Sequence, residues 1–214
     1  MLRIQLLGPI AAVSDGIRLS LGGPKQRTVL AVLAHEPGRT VSVDRLIEAV
    51  WGDDVPDRAS RSISTYVSNL RGLLGGVITR DGEGYVARLD RDQVDAVDFA
   101  DRVRVAQQRM GADPAEAAGV TREALELWVG EPFQGIDGHH VLEPEVSRLT
   151  ELRIAAIETA VEGEIAAGSC DLVELDRLVA EYPNRERVRG LQMRALYAAG
   201  RQAEALASYK AFRD

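Results

Sequence analysis

Arg61, Thr65, Ser68 and Asn69 recur at helical spacing within "SRSISTYVSNLRGLLGGVITR", residues 60 to 80. They bring guanidinium, hydroxyl and carboxamide groups, and no carboxylate lies among them. Such groups make hydrogen bonds to polar edges rather than move protons. Asn69 can pair at two points with adenine, Thr65 can touch a thymine methyl or accept from a base amino group, and Arg61 can reach guanine or a phosphate. No acid occurs between Asp57 and Asp81, whereas Arg58, Arg61, Arg71 and Arg80 do. Phosphates on both sides would repel a carboxylate on that face, which is a physical reason for its absence. The bland alternative is the solvated outer face of an ordinary α+β domain, since polar outward faces are normal.

The protein as a whole is acidic. Its 214 residues carry 33 Asp and Glu against 26 Lys and Arg, a formal charge of -7. Residues 1–92 hold 12 basic and 11 acidic side chains, net +1, and the remainder holds 14 and 22, net -8. The distribution therefore leaves nucleic acid open as a partner of the first part, although the total argues against it. A composition of 45% hydrophobic and 28% charged residues excludes disorder and predicts two domains, 1–92 and 93–214. No apolar run is long enough to span a bilayer, and "MLRIQLLGPI" lacks the pattern of a signal peptide. A cytoplasmic protein with no membrane partner is expected. Cys170 is the only cysteine, which excludes a disulfide framework and a CxxC metal knuckle and predicts a buried structural thiol.

The elements that must carry the residues of 60–80 follow from pattern. "LRIQLLGPI" alternates like a half-buried strand, and Asp15-Gly16 between apolar runs predicts a tight hairpin. Pro24 opens a helix whose apolar face is Val29, Leu30 and Leu33. After "PGRTVS", "VDRLIEAVWG" places Leu46, Ile47, Val50 and Trp51 on one stripe, with Ser42 as cap and Gly52 as stop. In the next helix Ile63, Val67, Leu70 and Leu74 lie within about 60° of one another on a wheel. "VITRDGEGYVARL" then predicts a β-hairpin. Two helices joined by a turn, the second aliphatic behind and polar with arginines in front, are the recipe for a helix that enters the major groove. Arg71 and Arg80 are placed for backbone contacts, Arg80 near a hairpin tip that can reach the minor groove.

Beyond "DRDQVDAVDF" the pattern is helical over about 96–110, 115–129, 142–168, 171–181, 185–199 and 202–213. "AGRQAEALASY" puts Gly200, Ala205 and Tyr209 at the spacing of a tetratricopeptide helix pair, with the aromatic filling the gap between helices. One pair cannot bury its own face, so a short helical array is expected, a platform for protein binding or dimerisation.

Other constellations do not persuade. His139-His140 with Glu143 and Glu145 suggests a metal site only until one notes that adjacent histidines point apart on a helix. "GGPKQRT" lacks the spacing of a phosphate loop, and neither Ser-His-Asp nor Cys-His groupings stand out. No metal, cofactor or enzymatic activity is expected, and Trp51 and Trp128 are read as core.

Three stretches, "GGPKQRTVLAVLA", "SVDRLIEAVWGDDVPDRASRSISTYVSNLRGLLG" and "DGEGYVARL", resemble the OmpR-type winged-helix domain of the Streptomyces antibiotic regulatory protein family of transcriptional activators. "ALELWVGEPF", "LTELRIAAIETAVEGEIAAG" and "LVAEYPNRERVRGLQMRALYAAGRQAEALASYKAFRD" resemble that family's bacterial transcriptional activator domain. The resemblance spans nearly the whole chain. It implies an α+β protein, a winged helix-turn-helix followed by an all-α tetratricopeptide-like domain. It also implies that Ser60 to Leu74 is the recognition helix and the hairpin around Gly82 the wing. By position Arg61, Ser62, Thr65, Asn69 and Arg71 fall at DNA-facing places and Arg80 at the arginine of the wing; Lys25, Arg27, Ser68 and Tyr85 complete the expected DNA-binding set. Some OmpR-type proteins carry basic residues where this chain has Ser68 and Asn69, a departure that bears on the target sequence rather than on docking. The implied partners are double-stranded promoter DNA, RNA polymerase with its σ factor, and a second protomer beside the first on direct repeats, in the control of secondary metabolism. The runner-up is an adaptor acting through its helical domain. The resemblance further implies a domain that continues past Asp214, the last residue of "SYKAFRD", which offers no helix cap.

Overall fold

The computed structural model describes residues 1–136 and 139–213, with the backbone alone described for His139, Ala211, Phe212 and Arg213. Contacts gather the chain into two compact units, Met1–Ala100 with Glu126–Glu151, and Asp101–Leu125 with Leu152–Asp214.

The first unit opens with antiparallel strands β1 (Leu2–Gln5), β2 (Ala11–Ser14) and β3 (Ile17–Arg18), adjacent in that order. Asp15 and Gly16 turn the hairpin at φ of 51° and 81°, the positive angles such a two-residue turn demands. Helix α1 (Pro24–Ala34) begins on Pro24, where the missing N–H is no loss, and is buried continuously from Thr28 to Ala34, not on one face alone. Against it pack α2 (Val43–Trp51) and α3 (Ala59–Leu73). Ser42 caps α2, its hydroxyl accepting the Arg45 N–H at 3.2 Å, and Gly52 ends it at φ 56°. On α3 the buried residues are Ile63, Val67 and Leu70, with Leu74 just past the last turn. Each such aliphatic side chain contributes roughly 1.5–3 kcal/mol on burial.

Strands β5 (Ile78–Asp81) and β6 (Gly84–Ala87) form the expected hairpin, and a third strand, β4 (Thr40–Ser42), joins it to give the order β4-β6-β5. A three-residue strand is too short to show alternation, so "PGRTVS" reads as a connector. The close approach of β4 explains Gly84, where a Cβ would run into the Val41 carbonyl. Thr40 Oγ1 donates to the Asp81 carboxylate and ties the outer strands together.

Two expectations change. The helix expected over 115–129 is α5 (Pro114–Leu125), and the residues after it leave the helical path. Val129 N–H donates to Leu7 O at 2.9 Å, Phe133 N–H to Leu6 O at 2.8 Å and Gln134 N–H to Gly8 O at 3.1 Å, while Ile10 N–H donates to Gln134 O at 3.2 Å. Phe133 is fully buried, and Trp128, half-buried rather than core, meets Phe99 edge-on at 5.4 Å. Backbone partners and aromatic burial outweigh the helical period of "LELWVG". The compact unit is accordingly not residues 1–92 alone.

Helix α4 (Asp95–Arg109) starts on a half-buried carboxylate. Asp95 accepts from the backbone N–H groups of Leu6 at 2.7 Å, Leu7 at 3.1 Å and Ala96 at 2.7 Å. Burial nevertheless pushes its pKa up to about 6, against the lowering effect of those bonds and of Arg3. The folded form thus holds this proton more tightly than the unfolded chain, whose carboxyl titrates near 3.8. The resulting stabilisation is complete below that value and is lost as pH rises through about 6. Urea melts of wild type and Asp95→Asn from pH 4 to 7 should show the wild type gaining on the variant as pH falls, by up to about 3 kcal/mol; parallel curves would contradict it.

The second unit is helical: α5 with residues 152–167 of α6 (Glu143–Ala167), then α7 (Leu172–Glu181), α8 (Glu186–Ala198) and α9 (Gln202–Arg213), close to the expected spans. Val161, Leu175, Leu178, Val179, Val188 and Leu191 form its core, with Cys170 partly buried against them. Burial pushes the Cys170 thiol above its ordinary range, as befits a structural thiol. Arg122 on α5 grips Glu164 on α6 and Glu174 on α7. Tyr209, expected to fill a gap, is 48% exposed instead; α9 is tied to α8 by Ser208 Oγ donating to Gln192 Oε1 at 2.6 Å. No helix among the described residues is long and apolar enough to cross a membrane.

Candidate nucleic-acid interface

The turn between α2 and α3 keeps the acids off the helix. Asp53, Asp54 and Asp57 stay in the loop, and α3 starts at Ala59 with no acid in its first turn. With Ile63, Val67 and Leu70 inside, Arg61, Ser64, Thr65, Ser68, Asn69 and Arg71 are exposed and Ser62 and Tyr66 half-buried. The exposed face of α3 is thus the one opposite its aliphatic repeat.

Three of the hydroxyls around that face have already donated their protons. Ser62 Oγ donates to Arg58 O at 3.3 Å, Ser64 Oγ to Ser60 O at 3.0 Å and Thr65 Oγ1 to Arg61 O at 3.0 Å. What they offer outward is lone pairs, together with the Thr65 methyl, so they suit the amino groups of adenine or cytosine better than phosphate. Arg61 has no ion-pair partner among the described residues, which leaves its guanidinium available to an external anion or base.

Asn69 is exposed, but its Nδ2 donates inward to Gln26 Oε1 at 3.0 Å. Arg71 Nε donates to Ile78 O at 2.8 Å, fastening the last turn of α3 to β5 while leaving the terminal nitrogens of the guanidinium at the surface. On the wing, the Arg80 guanidinium lies 5.5 Å from the Tyr85 ring centroid, with Nη1 donating to the Tyr85 hydroxyl at 3.4 Å. Tyr85, expected among the contact residues, is only 5% exposed. Paired directly opposite Arg80, it projects from the same face of the sheet and is covered by that guanidinium, which its ring holds in place.

Lys25 and Arg27 part company. Two positions apart, they point about 200° away from each other around α1. Lys25 Nζ sits 5.2 Å over the Trp51 ring, and Trp51 stacks on Tyr66 at 6.4 Å, so Lys25 belongs to the α3 surface. Arg27 is half-buried with its guanidinium beside Gly135, away from Lys25. The Trp51–Tyr66 stack makes Trp51 a support for this surface instead of a plain core residue. Sequence reasoning missed Gln26 and Tyr66; the signal for Tyr66 was an aromatic just off the aliphatic stripe. Among the described residues no group of three or more His, Cys, Asp or Glu side chains is placed to hold a metal ion, and the side chain of His139 lies outside those residues.

Comparison with known proteins matches the same two parts. The model of the bacterial transcriptional activator domain matches residues 94–214, and that of the transcriptional regulatory protein C-terminal domain matches residues 18–87. Regulatory protein AfsR of Streptomyces coelicolor is 40% identical over 214 residues, 97% of this chain and 21% of that protein. Transcriptional regulatory protein MoaR1 of Mycobacterium tuberculosis is 30% identical over 223 residues, 97% of this chain and 70% of that protein. The chain belongs to the Streptomyces antibiotic regulatory protein family. A solved structure of Mycobacterium tuberculosis EmbR in complex with a low affinity phosphopeptide superposes with a TM-score of 0.93 at 34% identity, over 99% of this chain and 58% of that one. The winged helix-turn-helix and the helical activator domain of the family are therefore both present, and the chain spans about a fifth of AfsR and just over half of the EmbR chain.

Proposed function

We propose that this chain is a sequence-specific DNA-binding transcriptional activator: α3 enters the major groove, the β5–β6 wing lies along the neighbouring minor groove, and the helical domain serves dimerisation and activation. The observation that carries the proposal is the exposed face of α3, polar and arginine-bearing, free of carboxylates, and flanked by Arg80 on a wing and Lys25 on α1. Membership in a family of transcriptional regulators supports it. Two protomers side by side on direct repeats near a promoter recruit RNA polymerase and its σ factor, in the control of secondary metabolism, within the cytoplasm and associated with the nucleoid. DNA reading is assigned to residues 1–92 and activation to residues 93–214, although residues 126–151 of the latter also complete the first compact unit. No enzymatic step is involved.

Gel shifts at two salt concentrations test this. Binding that falls steeply with salt yet keeps a preference for one sequence is the expected result; no binding at low salt supports the alternative, an adaptor acting through the exposed Tyr197, Leu206 and Tyr209 of the helical unit. Within the first outcome, Asn69→Ala should cost about 1–3 kcal/mol on the selected site and little on random DNA, whereas Arg80→Ala should weaken both and reduce the salt slope by about one. Equal losses on every sequence for the Asn69 change would contradict its role as a base reader.

A further inference from the structure

Gln26 is 8% exposed in the first turn of α1, a polar side chain buried just ahead of the apolar run Val29–Ala34. Burying a carboxamide is unfavourable unless both its ends are hydrogen-bonded. Both are: Nε2 donates to Leu21 O at 2.9 Å, and Oε1 accepts from Asn69 Nδ2 at 3.0 Å. Gly22, at φ 79°, leaves room for this, since a Cβ there would sit 3.1 Å from Gln26 Nε2.

The relay has a direction. A peptide carbonyl only accepts, so Gln26 must turn its NH2 group to Leu21. Its oxygen is then committed to Asn69, and Asn69 must turn its own NH2 group inward. A backbone carbonyl thereby fixes, through two side chains, which way round an exposed carboxamide stands on α3.

We propose that Gln26 is a positioning residue that locks the Asn69 carboxamide in the orientation that reads adenine and rejects guanine. The inference rests on α3 being the base-reading helix. Two-point pairing with adenine needs an oxygen to accept from N6–H and one N–H to donate to N7. The Asn69 amide has two N–H bonds; Gln26 takes one, and the other stays beside Oδ1 for the base. Guanine presents acceptors at both N7 and O6, so an oxygen held toward position 6 meets another oxygen. Turning the amide over to relieve that clash breaks the bond to Gln26 and strands a buried acceptor. An asparagine without the relay rotates freely and tolerates either purine.

The test uses the full chain with a binding site selected from random duplexes, plus the same site with the adenine contacted by Asn69 changed to guanine. Wild type should prefer adenine by about tenfold or more, and Asn69→Ala should lose that preference. Gln26→Met, which keeps the side-chain length and removes both polar ends, should lose most of the preference, about fivefold to tenfold, with affinity for random DNA and salt slope unchanged. Full discrimination in Gln26→Met, alongside its loss in Asn69→Ala, overturns the positioning role and leaves α3 as the reader. If wild type enriches no site, the DNA reading falls and this inference with it. A second measurement needs no variant. In nuclear magnetic resonance of the free wild-type protein, the Asn69 side-chain amide should be as ordered as the backbone, whereas that of Asn184, the sequence's only other asparagine and exposed between α7 and α8, should be mobile. Equal mobility of the two overturns the lock.

Discussion

Phe133→Ala should lower the stability of the first unit by about 3–5 kcal/mol, among the largest effects expected of a single change. The ring is fully buried, and its backbone N–H donates to Leu6 O. The residue also stands at φ 58°, a left-handed conformation that bulky side chains rarely adopt. Such a backbone persists only because burial of the ring and the bonds to β1's continuation outweigh the strain. Removing the ring leaves a cavity and removes the reason for the strain together. Urea denaturation followed by tryptophan fluorescence checks this, because Trp128 sits against Phe99 beside the site. A loss below about 1 kcal/mol would show that residues 126–134 contribute little to the unit.

The second large effect is expected at Arg122. Its Nε and Nη2 reach Glu164 at 2.7 and 3.0 Å, and its Nη1 and Nη2 reach Glu174 at 2.6 and 3.0 Å. Two carboxylates on different helices are held together by one cation, and hydrogen bonds to them keep the guanidinium protonated far above any accessible pH. Arg122→Met keeps much of the packing but leaves Glu164 and Glu174 facing each other. The side chain is 32% exposed, so solvent screens part of the repulsion, and a loss of about 2–3 kcal/mol is expected rather than the full value for a buried pair. Adding Glu164→Gln and Glu174→Gln to Arg122→Met should recover most of it in thermal melts. Failure of that rescue would mean that Arg122 stabilises by packing its stem and not by its charge.

How much of this was legible depended on distance along the chain. The rear of α3 was plain because Ile63, Val67, Leu70 and Leu74 repeat locally, and the outer face followed from it. Ser42, Gly52 and Asp15-Gly16 were readable for the same reason: caps and turns are local chemistry. The link from Asn69 to Gln26 crosses 43 residues, and no spacing rule predicts it. The bonds of residues 129–134 to the stretch after β1 span most of the chain, so "LELWVG" kept its helical period while its partners decided otherwise. The surroundings of Arg27 and Tyr85 were not legible either, because a charge or an aromatic ring read from a motif carries no direction; one lies beside Gly135 and the other beneath Arg80.

The return of residues 126–151 to the first unit has a consequence for synthesis. Nascent chains usually complete their leading domain while the rest is still being translated. In this chain the leading unit lacks Phe133 until the ribosome has also delivered the whole of α5, so Leu6 and Leu7 wait with their outer edge uncovered. Recombinant fragments ending near residue 92 inherit that naked edge permanently, and aggregation through it is their expected fate.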